Sequence, residues 1–236
     1  QYLTALGYKA GSAQAGVTDD SNTWVGHSAG LNANGASAGG NTGVGSNSLS
    51  SLTTGIYNTA LGYQSLASQT TLSESVAVGA YAGTTTTARV TAIGGYALQN
   101  NSTGIDNTAV GYGAMTANTS GLSNTAVGVT AGNAQAGATD DNNTWVGYRA
   151  GKVANGSSLG RNTAVGSSAG VAITTGNRNT LLGEGAGDTI TVGVDNVVVG
   201  SGAATNISSG TGNIVMGTSA GTGITTASYN VIIGSN

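Results

Sequence analysis

Every 15 to 19 residues the chain returns to one short pattern: asparagine, a β-branched residue, a small or apolar residue, an aliphatic residue, then glycine. The fourteen copies end at Gly7, Gly26, Gly45, Gly62, Gly79, Gly94, Gly111, Gly128, Gly147, Gly166, Gly183, Gly200, Gly217 and Gly234. A period this short, sustained head to tail, predicts an all-β parallel β-solenoid with one strand per coil rather than a globular core.

The columns of the repeat assign the strand. The residue before the motif glycine is aliphatic in all fourteen copies, from Leu6, Val25 and Val44 to Met216 and Ile233. Three residues before the glycine every copy is β-branched: Thr in ten, with Val76, Val197, Ile214 and Val231 in the others. β-Branched side chains suit a pleated surface, and columns two residues apart share one strand face. The unbroken aliphatic column predicts that this face is buried, with Thr hydroxyls bonded to Thr hydroxyls in the coils above and below.

The residue between these columns points the other way and is also apolar, mostly Ala, with Trp24, Trp145, Leu181, Val198, Val215 and Ile232 as its large members. A narrow coil encloses only one face of its strand, so apolar character on the second face predicts another chain packed against it. This places Trp24, Trp145, Leu181, Val198, Val215 and Ile232 at a chain–chain interface, where Trp24→Asp blocks assembly. The alternative is that small Ala and Gly line a tight coil interior.

Asn stands four residues before the glycine in eleven copies, and a stack of Asn amides along a turn can satisfy one another from coil to coil. Ala or Ser stands three residues after the glycine in all thirteen complete copies, which predicts close approach there. The motif glycine itself reads as a bend needing positive φ or close packing. All thirteen spacings are odd, so coils differ by pairs of residues and strand faces keep their alternation. Residues 11–62 align without gaps to 132–183 at an offset of 121, so the unit of duplication spans seven coils.

Composition narrows the picture further. With 42 Gly, no Pro, no Cys and 6% charged residues in 236, the chain resembles neither an ordinary enzyme nor a charged disordered tail. At about 4.8 Å per coil the repeats predict one solenoid domain over 1–236, a rod on the order of 65 Å long. A net charge of −3 argues against nucleic acid and against anionic membrane surfaces as partners. No run approaches 18 apolar residues, so no membrane insertion of this segment is expected. The chain opens inside a repeat without an initiating Met, as expected of a segment of a longer polypeptide.

Ser75-Val76-Ala77-Val78-Gly79 and Asn107-Thr108-Ala109-Val110-Gly111 resemble the repeat in head domains of trimeric autotransporter adhesins. Thr53-Thr54-Gly55 leading to Asn58-Thr59-Ala60-Leu61-Gly62 is similar to the repeats of phage and virus tail fibres. The resemblance covers essentially the whole chain. It implies a left-handed β-roll, a homotrimer, and an extracellular role as a rigid fibre shaft or adhesive head that meets a cell-surface glycan or receptor. The coils are longer than those of typical adhesin heads.

Candidate chemistry is sparse. Tyr8, Tyr63, Tyr112 and Tyr148 follow the motif glycine, and Tyr81 and Tyr96 lie one residue further on. They read as edge cover for neighbouring coils or as a glycan-stacking surface. Asp19-Asp20 and Asp140-Asp141 are the densest acidic loops, but each offers few of the oxygens a Ca²⁺ site needs, so no metal and no cofactor are expected. His27 is the only histidine and its duplicate position is Tyr148, which leaves no triad. Glu184 and Asp188 are a conceivable carboxylate pair, read here as solvated. The chain is therefore expected not to be an enzyme. Regular Thr ranks on a solenoid raise ice binding as the alternative function, which the predicted inward-facing Thr column disfavours.

Overall fold

The computed structural model describes residues 2–13, 21–33, 38–134, 141–153 and 160–236. The architecture is an all-β parallel β-solenoid in two compact units, Gln1–Thr116 and Ala117–Asn236. The first unit holds β1 (Thr4–Leu6), β2 (Thr23–Val25), β3 (Thr42–Val44), β4 (Thr59–Leu61), β5 (Val76–Val78), β6 (Val90–Ile93) and β7 (Asn107–Val110). The second holds β8 (Thr125–Val127), β9 (Thr144–Val146), β10 (Thr163–Val165), β11 (Thr180–Leu182), β12 (Val197–Val199), β13 (Ile214–Met216) and β14 (Val231–Ile233). Within each unit every strand pairs in parallel with the next in the register the columns dictate, Thr4 opposite Thr23 and Leu181 opposite Val198. The odd spacings thus act as expected: coils lengthen without turning a strand over.

The glycines close the coil. All fourteen motif glycines have φ between 126° and 141°, outside the range of L side chains. A Cβ on Gly7 would stand 2.6 Å from the carbonyl oxygen of Gly26, and one on Gly26 would stand 2.7 Å from that of Gly45. Within each unit consecutive motif glycines therefore stack backbone on backbone. Three further corners are left-handed without needing glycine, one of them two residues after the motif glycine, where Lys9, Asn47, Gln64 and Arg149 have φ of 53° to 59°. Leu49, Leu66, Leu98 and Met115, four residues after the motif glycine, have φ of 48° or 49°, and Glu74, Asp106, Arg161, Arg178 and Asp195, five before it, have φ of 56° to 61°.

The Asn column forms the expected ladder, and it is buried rather than on an edge. In the second unit the backbone amide of each Asn donates to the side-chain oxygen of the Asn one coil before it, from Asn143 on Asn124 (2.9 Å) through Asn179 on Asn162 (3.0 Å) to Asn230 on Asn213 (3.1 Å). The side-chain NH2 completes the set: that of Asn179 donates both to Asn162 Oδ1 (3.1 Å) and to the Gly193 carbonyl (2.8 Å). A turn that would leave buried polar backbone is thereby satisfied. In the first unit Asn22, Asn41 and Asn58 do the same, and Ser75 takes over, its hydroxyl accepting from Val90 N at 3.0 Å.

The strand faces are reversed relative to the sequence expectation. The middle column is the one inside: Trp24, Trp145, Leu181, Val198, Val215 and six Ala among its members are fully enclosed within the single chain. Trp24, Trp145, Leu181, Val198 and Val215 therefore cannot contact another chain, and Ile232 is half-buried in the same column. The aliphatic and Thr columns instead face outward, half-buried to exposed in every strand but for no member fully enclosed. The reason is volume. The interior also receives the Asn column, the Ala/Ser column and the residue four after the motif glycine, which leaves room for one side chain per coil from the strand.

That shared space explains the two tryptophans. Gly30 and Gly151 stand in the corner position where other coils carry Leu or Met, and any Cβ there would enter the ring of Trp24 or Trp145. On the next coil a Cβ at Gly43 would lie 2.7 Å from the Trp24 ring. Each Trp fills a chamber that glycines vacate. Trp24→Asp is accordingly expected to unfold the first unit rather than to release a folded single chain. Circular dichroism checks this, since retention of the native spectrum would contradict interior placement.

Candidate interaction face

The outward columns form two parallel ranks on the strand sheet of each unit. In the first unit one rank is Thr4, Thr23, Thr42, Thr59, Val76, Thr91 and Thr108, and the other is Leu6, Val25, Val44, Leu61, Val78, Ile93 and Val110. In the second unit Thr gives way along the first rank: Thr125, Thr144, Thr163 and Thr180 are followed by Val197, Ile214 and Val231. There both ranks are aliphatic, because Val199, Met216 and Ile233 lie beside them on the same strands. Leu61 is 47% exposed, Leu182 49%, Ile214 41% and Met216 43%. Aliphatic side chains this open, adjacent from strand to strand, make a contiguous apolar patch of the kind that marks an interaction surface.

A charged column borders the face, five residues before the motif glycine. Arg89 sits between Glu74 (3.3 Å) and Asp106 (2.6 Å), and Arg178 pairs with Asp195 at 2.6 Å. Hydrogen bonding to Asp106 and then Glu74 raises the Arg89 guanidinium above its ordinary value, and Arg178 holds the Asp195 carboxyl below its own. These pairs are solvated, so they set local order more than stability. A groove of about 270 Å³ runs beside the face here, lined by Glu74, Arg89, Val90, Thr91, Asp106, Asn107 and Thr108.

The tyrosines fall into separate surroundings. Tyr63, Tyr81, Tyr96 and Tyr112 join in one ladder in the first unit, with ring centroids 5.2, 5.1 and 5.6 Å apart. Partial burial and the neighbouring Tyr63 phenol raise the Tyr81 hydroxyl above its ordinary value. Tyr8 stacks on His27 at 5.4 Å and lies under Lys9, while Tyr148 carries the Arg149 guanidinium at 5.9 Å. The edge-cover reading thus describes the ladder, and Tyr8, Tyr112 and Tyr148 keep 67%, 58% and 54% of their surface open.

Among the described residues the carboxylate candidates have separate surroundings. Glu184 accepts a hydrogen bond from Ser201 at 3.2 Å, and burial raises the Asp188 carboxyl against backbone bonds from Thr189 and its own amide. Asp19, Asp20 and Asp140 lie outside the described residues, and Asp141 accepts from the Leu122 amide at 2.7 Å. No group of three or more metal-ligating side chains occurs among the described residues. No family model matches the sequence, and neither a curated protein nor a solved structure is significantly similar to it.

Proposed function

We propose that this chain is a structural segment of an extracellular fibre, a tail-fibre shaft or surface adhesin, in which three copies pack with their strand faces toward a common axis. The observation that carries the reading is the outward aliphatic rank, unbroken in each unit and doubled in β12, β13 and β14. A surface polar residue costs little at such positions, whereas burying aliphatics against a second sheet stabilises by about 25 cal/mol per Å² of apolar area. Copies of one chain share the same coil spacing, so strand ranks match strand ranks along the whole contact. The interface of the proposed trimer is the Thr/aliphatic face, not the Trp24 column.

The loops and tyrosines then stay on the outside, where Tyr8, Tyr112 and Tyr148 are available to a cell-surface glycan or receptor. No cofactor and no catalytic group are assigned. Particle images of the protein are expected to show a threefold cross-section with the sheets facing inward; a section one coil wide would contradict the proposal.

The outward Thr rank of the first unit, interrupted at Val76, favours one second reading, ice binding by a regular hydroxyl array. Val197, Ile214 and Val231 interrupt that array in the second unit and weigh against it. The fibre reading predicts no thermal hysteresis. Strong hysteresis from a single-chain species would replace it with the ice-binding one.

A further inference from the structure

The fibre reading uses only Tyr112 of the tyrosine ladder, and the geometry of the ladder has a chemistry of its own. Its end contacts are edge-on, with ring planes at 83° for Tyr63 and Tyr81 and at 74° for Tyr96 and Tyr112. The central pair, Tyr81 and Tyr96, lies nearly parallel at 15° with centroids 5.1 Å apart. Both residues hold left-handed backbone, φ 59° and 61°, in a column that carries Gly113, Gly185 and Gly202 on other coils. Lys9, Asn47, Gln64 and Arg149 hold the same conformation in that column, so the coil itself fixes the direction in which both rings leave the backbone and sets them on successive coils. The chain has no Cys, and both tryptophans are sealed inside the coils. With the indoles enclosed, the tyrosine phenols are the aromatic groups open to solvent that readily give up one electron.

We propose that Tyr81 and Tyr96 are a dityrosine-forming pair, a modification site at which a one-electron oxidant joins two adjacent coils covalently. Each phenol gives up one electron to the oxidant and its hydroxyl proton to solvent. The two phenoxyl radicals then form a carbon–carbon bond between ring positions ortho to oxygen. The two displaced ortho hydrogens move to the oxygens and restore both phenols. The net change is two electrons to the oxidant and two protons released, with no other atom lost. Tyr63 and Tyr112, 43% and 58% exposed, meet the oxidant first and pass the electron vacancy inward through ring contact. A bond here closes successive coils side to side, which a chain without Cys cannot do by disulfide.

The test irradiates the dilute folded protein with a ruthenium photosensitiser and persulfate, the persulfate accepting both electrons. Dityrosine fluorescence on a band of single-chain mass, a chain lighter by two hydrogens, and a Tyr81–Tyr96 cross-linked peptide in tandem mass spectrometry are expected. Tyr96→Phe keeps the stacked ring but removes the phenol, and should lower the intrachain yield roughly tenfold because the reaction loses its pre-positioned partner. Tyr148→Phe, outside the ladder, should leave the yield within about twofold, and both variants should keep the native circular dichroism. Linkage chiefly between chains, linkage chiefly through other tyrosines, or a wild-type yield in Tyr96→Phe would overturn the proposal.

Discussion

Replacing Gly183 with alanine is expected to unfold the second unit. The residue has φ 136°, and an added Cβ would stand 2.6 Å from both the carbonyl carbon and the oxygen of Gly200 on the next coil. Neither conflict can be relieved by moving a flexible side chain, because the obstacle is backbone that is itself fixed by stacking on Gly217. A backbone shift at one coil would also break the Gly183 N–H bond to the Val165 carbonyl at 2.8 Å. The combined loss is on the order of 4 kcal/mol, a large fraction of the stability of an ordinary domain. Ser209→Ala, exposed in the same unit, should change stability by less than about 0.5 kcal/mol. Thermal melts followed by circular dichroism compare the two, and a Gly183→Ala melt matching wild type would mean that the glycine stack is not what closes the coil.

The second large effect concerns assembly and not folding. The double variant Val199→Asp with Met216→Asp puts two carboxylates opposite each other on β12 and β13, at the centre of the aliphatic part of the outer face. Both side chains lie outside the coil interior, so the cost to the single chain is like-charge repulsion across a strand pair, about 0.2–1 kcal/mol. In the proposed trimer the same carboxylates would be buried without partners, a penalty of several kcal/mol for each copy. The expected outcome is loss of the oligomer with the native circular dichroism retained. Retained dichroism with an unchanged oligomer mass would place the contact elsewhere. Trp24→Asp makes the contrasting case: it strikes the interior and should abolish the fold itself.

The repeat made much of this architecture legible. Fourteen glycines at odd spacings announce parallel coils in register, and the Asn column announces a ladder, because each needs only local geometry repeated. The direction of the strand faces was not legible from the same columns by their composition. An invariant aliphatic rank looks like a core, yet Val25 and Leu61 face outward, while Ala60 and Trp24 face in. Constancy here reflects a flat surface whose neighbours are always the same two ranks.

The interior betrays itself by compensation instead. Where the strand column holds Trp24, Trp145 or Leu181, the position four after the motif glycine is Gly30, Gly151 or Gly187, and where it holds Gly43, Ala60, Ala92 or Ala109 that position is Leu49, Leu66, Leu98 or Met115. Two columns that trade volume in these seven coils share one cavity, while Ala77 with Gly83 and Ala164 with Gly170 are small in both and leave space to Leu66 and to Ile173. That signal was present in the sequence. Left-handed φ at Leu49 or Tyr81 was not, since nothing in those residue types signals it. The proposal of a second chain now rests on the opposite strand face, which is the one the coil leaves outside.

The central claim is that the Thr/aliphatic face is covered by further copies of this chain, and solution mass by light scattering across a dilution series tests it most directly. A mass near three times 22.6 kDa, stable on dilution and accompanied by the native dichroism, is the result the account predicts. A folded species of 22.6 kDa at every concentration would contradict it and leave the face open to solvent.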